Sequence, residues 1–229
     1  MTEPSVPPAA TARALLRSRD RATLATSLAG APYASLVLVA TAADGAPLLL
    51  ISDLAQHTIN IAGDPRVALL LDGTEALDEP LTGPRVTILG RAERSDDAAL
   101  RARYLSRHPS AAGYAAFADF HLYRVAVERA HLVAGFGRID WIAAEDLLPP
   151  GIAALAADEA ALVDELNEGD PGALLGRKGE GWRLTGIDAE GLDLRRAGMV
   201  ARLDFSAPVG DAAAARAAFA RLEATARAG

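Results

Sequence analysis

Leu50-Ile51-Ser52-Asp53-Leu54-Ala55-Gln56-His57-Thr58-Ile59-Asn60 is the stretch on which the reading of this chain turns. It closes an apolar run over residues 47–52 and breaks into hydroxyl, carboxylate, amide and imidazole side chains before apolar spacing resumes. That pattern predicts a strand ending at a helix start. The helix begins at Asp53 or Gln56 and ends at Gly63, where Asp64-Pro65 resets the chain. Such a junction suits an anion, because free helix N-terminal amides and short polar side chains converge on it. Capping preference explains Ser52, Asp53 and Thr58 equally well, and both readings stand at this point.

Working outward, residues 24–28 and 35–41 are apolar, β-prone runs joined through Ala29-Gly30-Ala31-Pro32. Asp44-Gly45 leads from the second run into residues 47–52 and favours the positive φ angles of a tight hairpin. Three consecutive antiparallel strands are therefore expected. Further strands are predicted over residues 67–71 and 85–93, and a helix from Ser95-Asp96-Asp97 to Arg107, with a capping hydroxyl and two carboxylates at its positive end. Residues 121–133 read as a long strand with Tyr123, Val125 and Val127 on one buried face, which places His121 and His131 on the same side. A short helix is expected over residues 10–18, after a disordered lead-in at residues 1–9.

Pro149-Pro150-Gly151 marks the domain boundary, since it continues neither helix nor ladder. Residues 10–148 and 152–229 are the expected domains. In the second, Leu155, Leu162, Val163 and Leu166 share a helical face, three strand-like runs follow, and a closing helix starts at Asp211. That order predicts a small α+β domain.

Composition narrows the function classes. The chain has 229 residues, 51% of them hydrophobic and 23% charged, enough for packed cores. The net charge of −7 is spread over both halves, which disfavours nucleic acid as a partner. No apolar run is long enough for a membrane span, and the N-terminal stretch has no secretory pattern, so a cytoplasmic location is expected. With no cysteine there is no disulfide or thiolate metal site, and redox chemistry must come from a bound cofactor. A Schiff-base mechanism would have to use Lys178, the one lysine. None of the histidines His57, His108, His121 and His131 lie three or four apart, so no zinc site is expected. Dinucleotide, phosphate-loop and hydrolase motifs are absent, and no side chain stands out as a general acid or base.

Taken in order, Tyr33-Ala34-Ser35-Leu36-Val37, the residue 50–60 stretch, Asp64-Pro65-Arg66-Val67, and Arg85-Val86-Thr87-Ile88-Leu89-Gly90-Arg91 resemble the flavin split barrels related to pyridoxamine 5′-phosphate oxidase. With Arg103-Tyr104-Leu105-Ser106-Arg107-His108-Pro109, Phe120-His121-Leu122-Tyr123-Arg124 and His131-Leu132-Val133-Ala134-Gly135, the chain is similar to their bacterial haem-utilisation (HugZ-type) branch. The resemblance implies a mainly β, overall α+β protein: a six-stranded antiparallel split barrel with flanking helices, carrying a small C-terminal α+β domain. It also implies a homodimer whose interface builds two FMN sites, and a role as an oxidoreductase on a small-molecule substrate. By that analogy Ser35, Leu36 and Val37 lie along the flavin ring, Ile51 and Ser52 flank the ribityl chain, and Gln56, His57 and Thr58 meet the phosphate. His57-Thr58 stands where the oxidase has an arginine-lysine pair.

The same branch is associated with haem binding and oxidative ring opening, so haem is the alternative ligand. Its appended domain carries histidines where this chain has Glu165 and Asp170, a poor exchange at haem iron. Gly135-Phe136-Gly137-Arg138 reads either as a close backbone approach to a ligand, with Arg138 offering charge to an anion, or as a bulge before Trp141. Trp141 and Trp182 read as core or interface. Phe117, Phe120, Phe136 and Trp141 are candidates for the dimer patch, or ordinary core.

Overall fold

The computed structural model describes residues 6–75, 77–135, 137–148, 151–175 and 181–228. The chain divides into two compact units, Met1–Pro149 and Pro150–Gly229. The Pro149-Pro150 boundary signal, Phe136 and Lys178 lie outside the described residues, as do residues 1–5 of the expected lead-in.

Helix α1 (Pro8–Ser18) opens the first unit with proline in its first turn, where a missing N–H costs nothing. Strands β1 (Arg21–Leu28) and β2 (Ala31–Leu38) pair along their whole length. Their connection is Ala29-Gly30 alone, with φ of 51° and 89°, the positive pair a two-residue hairpin demands. Pro32 is thus inside β2 instead of in the turn, tolerated because β2 is an edge strand. After β3 (Ala40–Thr41) and β4 (Pro47–Ser52) come helix α2 (Gln56–Gly63), β5 (Arg66–Asp72) and β6 (Pro84–Ser95). Helix α3 (Ala98–Arg107) is capped by Asp97, whose carboxylate accepts from the amides of Ala99 and Leu100. Short helix α4 (Ala112–Ala115) precedes β7 (Phe120–Ala134), β8 (Ile139–Ala143) and α5 (Ala144–Leu147).

These strands form one curled antiparallel sheet in the order β2-β1-β5-β6-β7-β4-β3, with β8 on β7. Strands β1, β2, β4, β5, β6 and β7 are the six of the expected split barrel; the two-residue β3 and the hairpin strand β8 are additions. Leu24, Val37, Leu49, Leu69, Val86, Ile88, Val125 and Leu132 fill the concave side. Leu48, Leu50, Tyr104, Ala111 and Leu122 form a second core on the other side of β4.

One irregularity reorganises the long strand. Leu89 pairs with Arg129 but Gly90 pairs with Val127, leaving Glu128 as an extra residue. This β-bulge resets the two-residue alternation. Before it Tyr123 and Val125 are buried in the barrel core; after it Ala130 and Leu132 are. His121 and His131 therefore point to opposite faces, against the expectation from unbroken alternation.

In the second unit, α6 (Glu159–Leu166) and α7 (Ala212–Ala228) accompany a three-stranded sheet of β9 (Arg183–Asp188), β10 (Gly191–Arg196) and β11 (Met199–Asp204), ordered β11-β10-β9. Trp182 packs in its core with Leu162, Leu192, Phe205 and Phe219. Buried Arg202 reaches Asp188 at 2.9 Å and Asp193 at 3.1 Å. Burial works against its charge, but Asp193 and Asp188 outweigh that and hold the guanidinium firmly protonated.

Candidate functional site

The β4–α2 junction is built by its neighbour strand. Ser52 pairs with Phe120 at the start of β7, and the amide of Asp53 donates to the Asp119 carbonyl at 2.7 Å. The Ser52 hydroxyl donates to the Asp119 carboxylate and accepts from the amide of Leu54, so its bonding capacity is used within the loop. Asp53 pairs with His121 Nε2 at 2.9 Å. Burial first, then Asp53, raises the Tyr123 hydroxyl above its ordinary range.

Helix α2 starts with Ala55 at the N-cap and no side-chain cap. Ser52, Asp53 and Thr58 thus do not cap it, and the capping explanation of those residues falls. The first-turn amides of Gln56 and His57 have no intrahelical acceptor by geometry. Gln56 donates to Asn60, which donates to Thr26 and ties α2 to β1. His57 Nδ1 lies 3.1 Å from the Ser35 hydroxyl. Its Nε2 and the Thr58 hydroxyl are buried without a hydrogen-bond partner among the described residues. Burial lowers the His57 pKa from its ordinary value, favouring a neutral ring.

The expected flavin residues therefore separate. Ser35, Ser52, Gln56, His57 and Thr58 gather around the junction, while Val37 and Ile51 are buried in the barrel core. Leu36 faces away, 73% exposed. Arg138 follows the far end of β7, at the turn where the Ala134 amide donates to the Arg138 carbonyl, so one chain does not bring it to the junction. Gly135 and Gly137 have φ of 103° and 75°, so this segment forms the turn of a β7–β8 hairpin. The dimer-patch residues also part: Phe117 and Phe120 meet edge to face near the start of β7, with Phe120 against Tyr114, whereas Trp141 pairs with His131 near its end.

Sequence reading missed the convex face. Cross-strand partners share a face, and the register Leu36↔Thr23↔Leu70↔Thr87↔His131↔Trp141 runs straight across β2, β1, β5, β6, β7 and β8. Leu36, Leu70 and Trp141 are all exposed, Trp141 by 59%. The His131 ring stacks on Trp141 with centroids 4.5 Å apart, and the Arg129 guanidinium lies 4.6 Å from the Trp141 centroid. Only the bulge, which no local propensity announces, turns these groups outward. Trp141 is accordingly a surface ring, not core.

The remaining candidates are occupied. His108 is buried, with Nε2 2.9 Å from the Val39 carbonyl. In the second unit Glu165 forms a two-pronged ion pair with Arg216, which lowers its pKa, and Asp170 accepts from the Gly172 amide.

A curled antiparallel half-barrel whose fourth strand ends at a polar helix junction defines the split-barrel class. Residues 9–134 match the pyridoxamine 5′-phosphate oxidase profile, and the chain belongs to that family. It is 30% identical to a protein of unknown function from Agrobacterium tumefaciens, with a TM-score of 0.79 over 94% of this chain and 100% of that one. A haem-binding protein from Mycobacterium smegmatis is 32% identical, with a TM-score of 0.60 over 100% of both chains. The non-canonical haem oxygenase HOZ of Arabidopsis thaliana is 38% identical over 110 residues, 46% of this chain but only 33% of its own length.

Proposed function

We propose that this protein binds haem, on the convex face of its split barrel, as a homodimer in the cytoplasm. The observation that carries the reading is the outward-facing His131–Trp141 stack with Arg129 beside it. A flat apolar macrocycle with two carboxylates is complementary to such a group: Trp141 supplies an exposed aromatic ring, His131 an imidazole and Arg129 a carboxylate partner. The haem-binding and haem-oxygenase relatives support the same class. A second copy related by a two-fold axis forms the opposite wall. Among the described residues no helix is long and apolar enough to cross a membrane.

A second reading, FMN at the β4–α2 junction and an oxidoreductase role, rests on the unpartnered Thr58 hydroxyl and His57 Nε2 beside free helix amides. The junction fits a phosphate only in part. Asp119 holds the Ser52 hydroxyl, Asp53 adds a second carboxylate, and the sequence has no Arg or Lys between Arg21 and Arg66. Haem is therefore preferred.

Parallel titrations of the purified protein with haemin and with FMN test this. Saturable haem binding at one per chain with a shifted Soret band, and FMN binding weaker by at least about tenfold, is the expected result. Tight FMN binding with no saturable haem binding would overturn the preference.

A further inference from the structure

We infer that the His131 imidazole is the axial ligand of the haem iron, with Trp141 as the ring it stacks beside; this rests on the haem reading above. A haem iron needs a reachable imidazole nitrogen that no other group holds, while the second ring nitrogen can keep a hydrogen bond. Three of the four histidines fail. His108 is bonded to the Val39 carbonyl within the core, His121 has its Nε2 on Asp53, leaving only Nδ1 beside its own backbone, and His57 has one nitrogen on the Ser35 hydroxyl and the other sealed inside the protein.

His131 differs in each respect. Its neighbours in the register are Thr87 and Trp141 on an exposed face, and neither makes a hydrogen bond to its ring. The stack against Trp141, at 4.5 Å and 29°, fixes the plane of the imidazole while leaving both nitrogens free among the described residues. Restricting that plane removes rotamer freedom before binding, which lowers the cost of ligation. The Arg129 guanidinium on the same indole supplies positive charge within reach of the same surface. A macrocycle held at His131 would lie over Thr87 and Trp141, one strand to either side, with Arg129 as the basic group beside it.

The test is optical and magnetic spectroscopy of the haem-loaded protein, with sedimentation equilibrium on the same samples. In His131→Ala the bands of a histidine-ligated haem are lost while haem still associates, and added imidazole restores the wild-type spectrum. Trp141→Ala weakens haem binding roughly 3- to 10-fold, the scale of one aromatic stack, without changing the class of spectrum. A haem-loaded His131→Ala protein with a spectrum unchanged from wild type overturns the assignment and leaves the haem reading intact. If wild type takes up no haem, both fall. Loss of the dimer in these variants with no spectral change makes the face a contact between copies only, and also overturns the assignment.

Discussion

Gly90→Ala probes the feature that turns His131 outward. Gly90 sits against the extra residue of the bulge, and a Cβ added there would lie 2.2 Å from the Ala126 carbonyl oxygen and 3.0 Å from the Val125 Cγ1. A carbon–oxygen contact is ordinarily about 3.3 Å or longer, so β6 and β7 must separate by about 1 Å. The obstacle is backbone, with no side chain free to swing away. Loss of chain entropy in the unfolded state favours alanine by about 0.4–1 kcal/mol, whereas overpacking costs about 1–3 kcal/mol. The net expectation is a loss of about 1–2 kcal/mol, or roughly 3–8 °C in Tm for a unit of this size. Urea and thermal unfolding by circular dichroism measure it, with Trp141 fluorescence in a Trp182→Phe background reporting the barrel alone. A Gly90→Ala protein as stable as wild type, or more so, would refute the reasoning.

Three further outcomes follow from other sites. Arg202→Met leaves Asp188 and Asp193 buried without their partner and should cost about 3–5 kcal/mol in urea unfolding of the second unit; a change under about 1 kcal/mol would mean the carboxylates find other neutralisation. Because burial depresses the His57 pKa, the unfolded chain takes up a proton near pH 6.5 before the folded one does. His57 thus favours the folded barrel fully above that pH, and its contribution declines as pH falls below it; His57→Gln should flatten this part of the stability profile, and an unaltered profile would argue against a buried neutral ring. Asp119→Asn removes a carboxylate beside the β4–α2 junction and should tighten FMN binding roughly tenfold, about 1.4 kcal/mol, by fluorescence titration. Equal or weaker affinity would show that the carboxylates are not what keeps phosphate out.

The elements with strong local chemistry were legible in the sequence. Residues 47–52 close a strand as expected, because the apolar run stops at a polar cluster, and Asp97 caps α3 where a carboxylate precedes a helical pattern. The β1–β2 turn proved tighter than Ala29-Gly30-Ala31-Pro32 suggests, since proline is acceptable on an edge strand. What escaped depended on pairing between distant strands. Strand β8 was missed because its hairpin follows two glycines and reads as irregular chain. The site was legible only at the junction, where polar residues cluster within one short stretch. The convex row draws one residue from each of six strands, so no window of sequence contains it.

Glu128 gives this barrel a point of phase reversal. Upstream of it odd-numbered residues of β7 line the interior; downstream the even-numbered ones do. A relative without the extra residue keeps the same partners on both sides of it, so a histidine aligned with His131 still lies opposite the position of Thr87 and faces outward. What would reverse the face is this same chain pairing without the bulge, a one-residue slip that carries His131 inward and Leu132 outward. The extra residue is therefore silent for the surface as long as it is looped out, and the pairing of β6 with β7 guards which side chains meet the outside.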